Sequence, residues 1–372
     1  MQQVTDYSLS VIQQRFTLGT GSNNAIFNYL RRLTGFTRTL VTSNISLNDL
    51  KILASVGIKT RLIELHDSIG FPLCVLVKGA VRDSDIIDVN LSSLPLLDFP
   101  VYKTREPSRI LYTLHGGIDR IELTSSSRPI NDSFFGVLCG FQRRLVARSI
   151  GGFIAISEYM WKEIRRLYNP KNIFHIPNAI DVDFFYPRNR NIDIKDPSIL
   201  FVGGLYPRKG AHVLVNEMPR IIKKYPRARL TIVGDGPLRE RLTSFAQRCG
   251  VGDRVKILSN LSFEGLREAY WACNIFLTAS YWESFCLPVY EALATGMPAV
   301  TRNCSALSEL VANKDSGVLG FSSEEEIVDR ISDCLHNYKE LSRASRKFAE
   351  NFAPSKVAEM RRICYLRLLD NV

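Results

Sequence analysis

The amino-acid sequence predicts two consecutive α/β domains, each with a parallel sheet covered by helices on both faces. In the second half of the 372 residues, short apolar runs alternate regularly with amphipathic stretches, and the first half repeats this alternation less regularly. Residues 188–197, rich in Arg, Asn and Asp, have no apolar period and separate the halves as a linker. The predicted domains are residues 1–187 and 198–352, followed by a C-terminal helix within 353–372. Because parallel α/β domains bind ligands at the carboxyl ends of their strands, we expect the site in the cleft between them.

The first domain has the weaker strand signals, which are short runs of apolar and β-branched residues. Strands are predicted at residues 39–42, 60–64, 85–90, 109–114 and 152–156, with a poorly marked one near 9–12. A helix at 22–33 places Ile26, Leu30 and Leu33 on one face, and Gly35 follows it as a stop signal.

The second domain alternates cleanly between strand and helix, as a parallel sheet with helical crossovers requires. Strands are predicted at residues 198–202, 229–233, 255–258, 275–279, 299–301 and 317–321. Helices are predicted at residues 209–224, 237–249, 263–273, 288–295, 305–312 and 323–336, and the separate C-terminal helix is predicted at 355–369. Pro219 falls inside the first of these helices and predicts a kink there.

Composition restricts the kind of protein that the chain can be. Hydrophobic residues make up 45% of it, enough for two cores, and no apolar run reaches the length of a membrane-spanning helix. The first residues lack the basic start and apolar stretch of a signal peptide. The eight cysteines include no CxxC pair and match no zinc framework, which fits a reducing compartment. We therefore expect a cytoplasmic location.

An excess of positive charge favours anionic partners. Lys and Arg number 48 against 37 acids, a formal charge of +11. A predicted helix at 159–168 carries Lys162, Arg165 and Arg166 beside Trp161, and this surface would suit an acidic membrane at the inner face. A solvated helix face is the more ordinary interpretation. Nucleic-acid binding is not expected, because no recognised module accompanies the charge.

The chemistry of the chain is concentrated between residues 278 and 298. Two carboxylates there, Glu283 and Glu291, have seven residues between them, and Pro288 is well suited to the first turn of a helix. A row of backbone N–H groups from Phe285 to Val289 at a helix start predicts an anion site suited to phosphate. Carboxylates on both sides suit hydroxyls, so the pattern indicates a nucleotide sugar. Alternatively, Glu291 is only a favourable charge on the helix dipole.

Two further segments fit a phosphate ligand. Arg208 and Lys209 follow a strand and a double glycine, where two cations at a helix start suit a diphosphate and its departure as a leaving group. The alternative is a solvated charged turn. Gly19 and Gly21 precede the first helix and permit a close backbone approach to a ligand, although a plain turn explains them equally well.

A histidine and a pair of acids complete the set of candidates. His115 ends a predicted strand and precedes Gly116 and Gly117, so it is placed to line the cleft; a structural loop histidine is the alternative. Asp181 and Asp183 follow a turn sequence, and we do not expect them to bind a metal. The sequence therefore predicts no metal site.

Taken together, these residues resemble the family 4 retaining glycosyltransferases of the GT-B fold. The resemblance covers nearly the whole chain and is strongest from 199 to 311. The acids Glu283 and Glu291 match the family's Glu-seven-Glu signature. Similar runs occur at residues 156–158, 176–181, 234–237, 298–300 and 308–311. Cys286 stands where the family usually has Gly, and Gly204 stands where it often has Arg.

The resemblance implies a GT-B fold of two facing Rossmann-like domains and a role for each candidate residue. Glu283 would hold hydroxyls of the donor sugar, and Glu291 would hold the ribose. The amides of Phe285, Cys286 and Leu287 would bind the diphosphate, which Lys209 and Arg208 would neutralise. Gly19 and Gly21 would approach the phosphate from the first domain, where His115 would contact the sugar near its anomeric centre. The C-terminal helix would cross back onto that domain.

The resemblance implies a metal-independent hexosyltransferase that needs no cofactor. It would move a sugar from a nucleoside diphosphate sugar to a hydroxyl of a glycan or lipid-linked acceptor, with retention at the anomeric carbon. Two alternatives remain open at this point: a nucleotide-sugar epimerase on the same fold, and a non-catalytic partner subunit. The departures at Cys286 and Gly204 favour the second of these alternatives.

Overall fold

The computed structural model describes residues 7–13, 21–63, 81, 83–91, 106–116, 147–188 and 196–370. The chain divides into two compact units. The first unit comprises residues 1–179 and 354–372, and the second comprises residues 180–353.

A parallel sheet forms the centre of the first unit. Its strands are β1 (Tyr7–Gln13), β2 (Phe36–Thr42), β3 (Lys59–Leu62), β4 (Ile86–Leu91), β5 (Ile110–Leu114), β6 (Gly152–Ala155) and β7 (Ile173–His175). They lie in the order β3-β2-β1-β4-β5-β6-β7, and every neighbouring pair is parallel. All residues of β5 and β6 are buried, which is typical of central strands in a parallel sheet.

Three helices of the first unit are α1 (Gly21–Leu30), α2 (Leu47–Ser55) and α3 (Glu158–Tyr168). Helix α2 and strand β7 were not predicted, because α2 has only a short apolar pattern and β7 has three residues. Hydrogen bonds to Ser oxygens begin two of these helices: Ser46 Oγ accepts from the amide of Asp49 at 3.0 Å, and Ser157 Oγ accepts from that of Met160 at 3.1 Å. Residue 64 of the predicted strand 60–64 lies outside the described residues.

The second unit repeats the architecture with a six-stranded parallel sheet. Its strands are β8 (Ser198–Val202), β9 (Arg229–Val233), β10 (Val255–Leu258), β11 (Ile275–Thr278), β12 (Ala299–Arg302) and β13 (Val318–Phe321), in the order β10-β9-β8-β11-β12-β13. Its helices are α4 (Ala211–Lys224), α5 (Arg239–Arg248), α6 (Phe263–Ala272), α7 (Leu287–Ala294), α8 (Leu307–Ala312), α9 (Ile327–His336) and α10 (Tyr338–Ala349). Every predicted strand of this unit is present: β8, β9 and β11 to β13 bury apolar residues, whereas the edge strand β10 is only partly buried.

One predicted helix starts in a different place. The prediction began it at Lys209, but Pro207–Lys209 form a 3₁₀ turn, and α4 begins only at Ala211. Gly210 separates the two with a φ of 72°. A Cβ at this glycine would lie 2.3 Å from the carbonyl oxygen of Ala279, so the chain can pass here only without a side chain. Lys209 is therefore presented by a tight turn rather than by a helix.

The last helix, α11 (Pro354–Asp370), belongs to the first unit and packs against α1. Val357, Ala358 and Tyr365 of α11 join the apolar core of that unit. Arg361 is also buried, and its guanidinium lies 4.1 Å from the centre of the Tyr29 ring of α1.

Candidate functional site

The loop between β11 and α7 carries the first predicted catalytic acid. Glu283 is buried, and its backbone is fixed on both sides. Its amide donates to Ser305 Oγ at 2.8 Å, and its carbonyl oxygen accepts from the amide of Ala306 at 3.2 Å. Because Ser305 has a left-handed φ of 45°, the segment after β12 turns sharply enough to reach the loop. The acid is therefore held by a second segment of the same unit.

Lys209 reaches this acid directly. Its Nζ lies 2.6 Å from Glu283 Oε1, a distance typical of a charge-assisted hydrogen bond. The segments that carry the two residues are also joined through their backbones. Tyr281 N donates to the carbonyl oxygen of Arg208 at 2.9 Å, and Ser280 Oγ donates to that of Lys209 at 3.3 Å. Two residues that the sequence singled out separately thus form one ion pair.

The start of α7 provides free backbone amides next to this pair. Within the described part of the chain, the amides of Phe285, Cys286 and Leu287 donate to no other group. The predicted row of amides is shorter at its far end, because Pro288 has no N–H and the amide of Val289 donates to Cys286 O at 3.0 Å. Three successive amides at a helix start can bind an anion, and the helix dipole adds to the attraction.

Cys286 turns the chain into α7 with φ 72° and ψ 66°. This left-handed conformation costs a non-glycine residue about 1–2 kcal/mol, which explains why glycine suits the position. The cysteine nevertheless adopts it, so the amides on either side are presented as a glycine would present them. Burial, followed by the charge of Glu283, raises the pKa of the Cys286 thiol well above its usual range. The thiol therefore stays neutral.

Glu291 is the fifth residue of α7 and lies one turn beyond the free amides. Tyr270 OH lies 2.7 Å from Glu291 Oε2 and donates to it. Burial raises the pKa of this carboxyl to about 7, although the hydrogen bond from Tyr270 opposes the shift. Since a carboxylate with a pKa near neutrality gains from further donors, the position is suited to a diol.

Arg208 is the second cation that the sequence predicts in this region. Arg208 is exposed, and its carbonyl oxygen is tied to Tyr281. The resemblance leads to an expectation of Arg at Gly204. A Cβ at this position would lie 3.1 Å from the ring of Tyr206, so a side chain fits only if that ring moves. Tyr206 is exposed and can move.

In the first unit, His115 follows β5 and is partly buried. Its Nε2 lies 2.8 Å from Asn90 Oδ1 of β4. Burial, with a smaller effect of the Arg361 charge, lowers the pKa of His115 to about 3, so the imidazole is neutral at physiological pH. Gly21 is the first residue of α1, whereas Gly19 lies outside the described residues.

The sequence analysis missed three residues that support these groups: Ser305, Tyr270 and Asn90. Each acts through a contact that is distant in sequence, 22 residues for Ser305, 21 for Tyr270 and 25 for Asn90. A polar residue at a strand end or inside an otherwise apolar helix is the only local signal that marks them. That signal is too common to single them out.

The described residues contain neither a metal-binding cluster nor a membrane-spanning helix. No group of three or more His, Cys, Asp or Glu side chains in this part of the chain is placed to hold a metal ion. None of the described helices has both the length and the apolar character that are needed to cross a membrane.

Comparison with known proteins identifies the second unit. Residues 183–352 match the family described as Glycosyl transferases group 1. This match covers nearly the whole second unit, which is therefore similar to the group 1 glycosyltransferases. The phosphatidylinositol N-acetylglucosaminyltransferase gpi3 subunit of Schizosaccharomyces pombe is 27% identical over 177 residues, which cover 47% of this chain and 38% of that protein. The chain thus spans well under two thirds of this relative's length.

Solved structures extend the likeness to both units. Sucrose-phosphate synthase from Thermosynechococcus elongatus superposes with a TM-score of 0.78 at 19% identity, covering 98% of this chain and 100% of that one. Anabaena Alr3699/HepE in complex with UDP gives 0.73 at 17% identity, again covering 98% and 100%. At such identities the likeness concerns the fold. The prediction of a GT-B fold with two parallel-sheet α/β domains is confirmed.

Proposed function

We propose that the chain is a retaining glycosyltransferase that moves a hexose from a nucleoside diphosphate sugar to a hydroxyl of a glycan or lipid-linked acceptor. The observation that carries this proposal is the Lys209–Glu283 pair beside three free amides at the start of α7. A cation and amides suit the diphosphate, and an acid at the same place suits the sugar attached to it.

The diphosphate would lie at the amides of Phe285, Cys286 and Leu287. These donors are already oriented, so they need no reorganisation when negative charge develops on the leaving diphosphate. Lys209 has three N–H donors and can keep one on Glu283 while it turns another to a phosphate oxygen. Because this chain provides cation and amides together, we propose that departure of the diphosphate needs no metal. HepE, which shares the fold, was crystallised with UDP, a nucleoside diphosphate of the kind that this reaction releases.

The donor sugar would lie at Glu283. Its Oε1 accepts from Lys209, and a carboxylate has lone pairs on both oxygens with which to accept from sugar hydroxyls. The position of this acid is fixed by Ser305 and Ala306, so hydroxyls that it binds would be held in one orientation. We propose that Glu291 accepts hydrogen bonds from the ribose diol. We further propose that Arg208 helps to neutralise the diphosphate and that His115 contacts the sugar. Gly19 and Gly21 would approach the phosphate.

Retention is proposed from the resemblance rather than from a nucleophile in the chain. Glu283 Oε1 already accepts from Lys209, and we propose no role as a nucleophile for this carboxylate. Instead, an oxygen of the departing phosphate would take the proton of the acceptor hydroxyl on the same face of the sugar. The bond from the anomeric carbon to phosphate oxygen breaks as the bond to the acceptor oxygen forms, which releases a nucleoside diphosphate.

A lipid-linked acceptor is supported by two observations. The name of the Schizosaccharomyces pombe relative includes phosphatidylinositol, a lipid. In this chain, helix α3 exposes Lys162 and Arg166, and the Arg165 guanidinium lies 5.4 Å from the centre of the Trp161 ring. Cations with an aromatic residue on one helix suit a peripheral contact with an acidic membrane.

Nucleotide binding is the first test of this function. The purified chain is screened by thermal shift and calorimetry against UDP, GDP and ADP. A nucleotide at about 100 times its Kd adds roughly 2.7 kcal/mol to the unfolding free energy, so one of the three is expected to raise the melting temperature clearly. Lys209→Gln should abolish that rise, whereas Lys223→Gln, at an exposed lysine of α4, should keep it.

Product analysis is the second test. A labelled nucleoside diphosphate sugar is supplied with and without acceptors, and products are identified by mass. A new glycoside that keeps the anomeric configuration supports the proposal. An altered sugar without an acceptor would identify an epimerase instead. Failure to bind any nucleoside diphosphate would identify a non-catalytic subunit.

A further inference from the structure

We propose that Asn90 is a positioning residue for His115 and that the buried Asp88–Arg361 pair fixes the amide of Asn90, so that helix α11 determines which ring nitrogen of His115 carries the proton. The proposal rests on the proposed role of His115 at the donor sugar. It concerns residues of the first unit alone.

The centre of this arrangement is the carboxylate of Asp88 on β4, which is fully buried. Its Oδ2 accepts from Arg361 Nη1 at 2.5 Å and from Tyr365 OH at 2.7 Å, both on α11. Its Oδ1 accepts from Thr113 Oγ1 of β5 at 2.8 Å. With donors on both oxygens and a guanidinium as counter-ion, this carboxylate has one stable orientation.

The orientation of Asp88 determines that of Asn90, two residues along the same strand. The nitrogen of the Asn90 amide lies 3.3 Å from Asp88 Oδ1 and 3.4 Å from the Asp88 carbonyl oxygen. Both of these atoms are acceptors, so the NH₂ group must face them. A flipped amide would place its oxygen against two other oxygens. Asn90 therefore presents its Oδ1 to His115.

The orientation of Asn90 then determines the proton on His115. Asn90 Oδ1 can only accept, and it lies 2.8 Å from Nε2 of the imidazole. Nε2 must therefore carry the hydrogen. The neutral ring then has its acceptor lone pair on Nδ1, and a group that hydrogen-bonds there has to donate. Hydroxyl groups of a sugar can do this.

The charge state of the ring agrees with this geometry. Burial and the positive charge of Arg361 both disfavour an imidazolium and lower the pKa of His115 to about 3. Arg361 thus acts on His115 twice: its charge keeps the ring neutral, and its bond to Asp88 fixes the amide that selects the tautomer. No other residue of α11 reaches Asp88 with a charge among those that the structure describes.

The tautomer can be measured directly. Full-length protein labelled with ¹⁵N-histidine is studied by long-range proton–nitrogen NMR at neutral pH, and the His115 signals are assigned by their loss in His115→Gln. The expected result is one neutral tautomer with the proton on Nε2. A proton on Nδ1, or an averaged mixture, would overturn the proposal. No sugar donor is present, so this result is independent of whether the chain is a transferase.

Variants of Asn90 separate positioning from folding. Asn90→Leu removes the acceptor, so both tautomers are expected, with a roughly tenfold fall in kcat that corresponds to one lost hydrogen bond and an unchanged KM for the donor. Asn90→Asp keeps an acceptor and should retain the Nε2–H tautomer, while its charge raises the pKa of His115 in an NMR titration. An unchanged tautomer in a folded Asn90→Leu protein would contradict the role of Asn90.

The part played by α11 is tested with a double variant. Asp88→Leu with Arg361→Met removes both buried charges together and leaves no unpaired ion. We expect mixed tautomers of His115, because the amide of Asn90 is then free to flip. A folded double variant with a pure Nε2–H tautomer would remove Asp88 and Arg361 from the proposal. If this variant does not fold, the Asn90→Leu result decides. A normal tautomer pattern without any sugar transfer would instead refute the proposed function alone.

Discussion

The two units each hold an ion pair of similar length in very different surroundings. In the second unit, Lys209 and Glu283 are 2.6 Å apart, and the lysine side chain is 21% exposed. In the first unit, Arg361 and Asp88 are 2.5 Å apart, with exposures of 1% and 0%. A pair in contact with water can exchange a partner for a ligand, whereas a pair that is sealed inside a core cannot. Exposure, and not distance, separates an ion pair fit for binding from one that fixes structure.

The largest effect that follows from this comparison is on stability. Arg361→Met leaves the carboxylate of Asp88 buried without a counter-ion, which should lower the unfolding free energy by about 3–5 kcal/mol. Lys209→Met should lower it by about 1–2 kcal/mol, because the ammonium that it removes is in contact with water. Urea unfolding of both variants measures the difference. Equal losses would show that the two pairs do not differ in the way that their exposure indicates.

Turnover, unlike stability, should depend more on the Lys209–Glu283 pair than on the Arg361–Asp88 pair. Glu283→Gln keeps the size of the side chain and its fixed backbone but loses a charge-assisted bond worth roughly 1.5–3 kcal/mol. Turnover should fall about 10- to 150-fold, while the unfolding free energy should fall by no more than in Lys209→Met, since both variants lose the same ion pair. The measurement is initial-rate product formation at saturating donor. Full activity in this variant would remove Glu283 from the site.

The partly buried carboxyl of Glu291 allows a pH test. Its folded pKa of about 7 lies above its ordinary value, so the folded state binds the proton more tightly than the unfolded chain does. The stability that this proton provides is present at low pH and is lost as the pH rises toward and through 7. Glu291→Gln lacks this loss, and we expect it to be more stable than wild type by about 1–3 kcal/mol above pH 7.

Thermal unfolding at several pH values measures the effect of Glu291→Gln on stability. The same measurement with nucleotide present measures its effect on nucleotide binding. Nucleotide binding to the Gln variant should be weaker, since an amide oxygen is a poorer acceptor for a diol than a carboxylate. Parallel stability curves for wild type and variant would mean that Glu291 does not titrate in this range.

The smallest expected effect comes from adding a cation. Gly204→Arg would place a guanidinium at the position where the family resemblance leads to one, after a small displacement of the exposed Tyr206 ring. We expect the affinity for the nucleoside diphosphate to rise by about threefold, as an exposed charge contributes less than about 1 kcal/mol. Calorimetry of Gly204→Arg and Gly204→Gln separates the effect of the added charge on affinity from that of the added side-chain size. A larger gain in the Gln variant would contradict the electrostatic explanation.

Much of this fold was predictable because strands of a parallel sheet are rich in apolar and β-branched residues and are bounded by turn residues. That is why β8 to β13 were located correctly. Weak elements were missed: β7 has three residues and ends in His175, and α2 depends on the cap at Ser46. The start of α4 was misplaced because a close approach between Gly210 and Ala279 has no local signature.

The candidate site was predictable as residue types but not as contacts. The sequence singled out Lys209 and Glu283 separately, and they are 74 positions apart, so only the folded sheet brings them to one ion pair. Cys286 stands where the resemblance leads to glycine, and it adopts the left-handed conformation that a glycine would have. The sequence does not indicate this conformation, because the surrounding structure imposes it on a non-glycine residue.

The pairing of Asp88 with Arg361 also restricts the order in which the molecule can be assembled. Their positions are 273 residues apart, and the whole second unit is encoded between them. During translation, β4 leaves the ribosome long before the helix that neutralises its acid exists. The first unit is thus synthesised first but completed last, and a nascent chain that is released before α11 would be left with an unneutralised aspartate in its core.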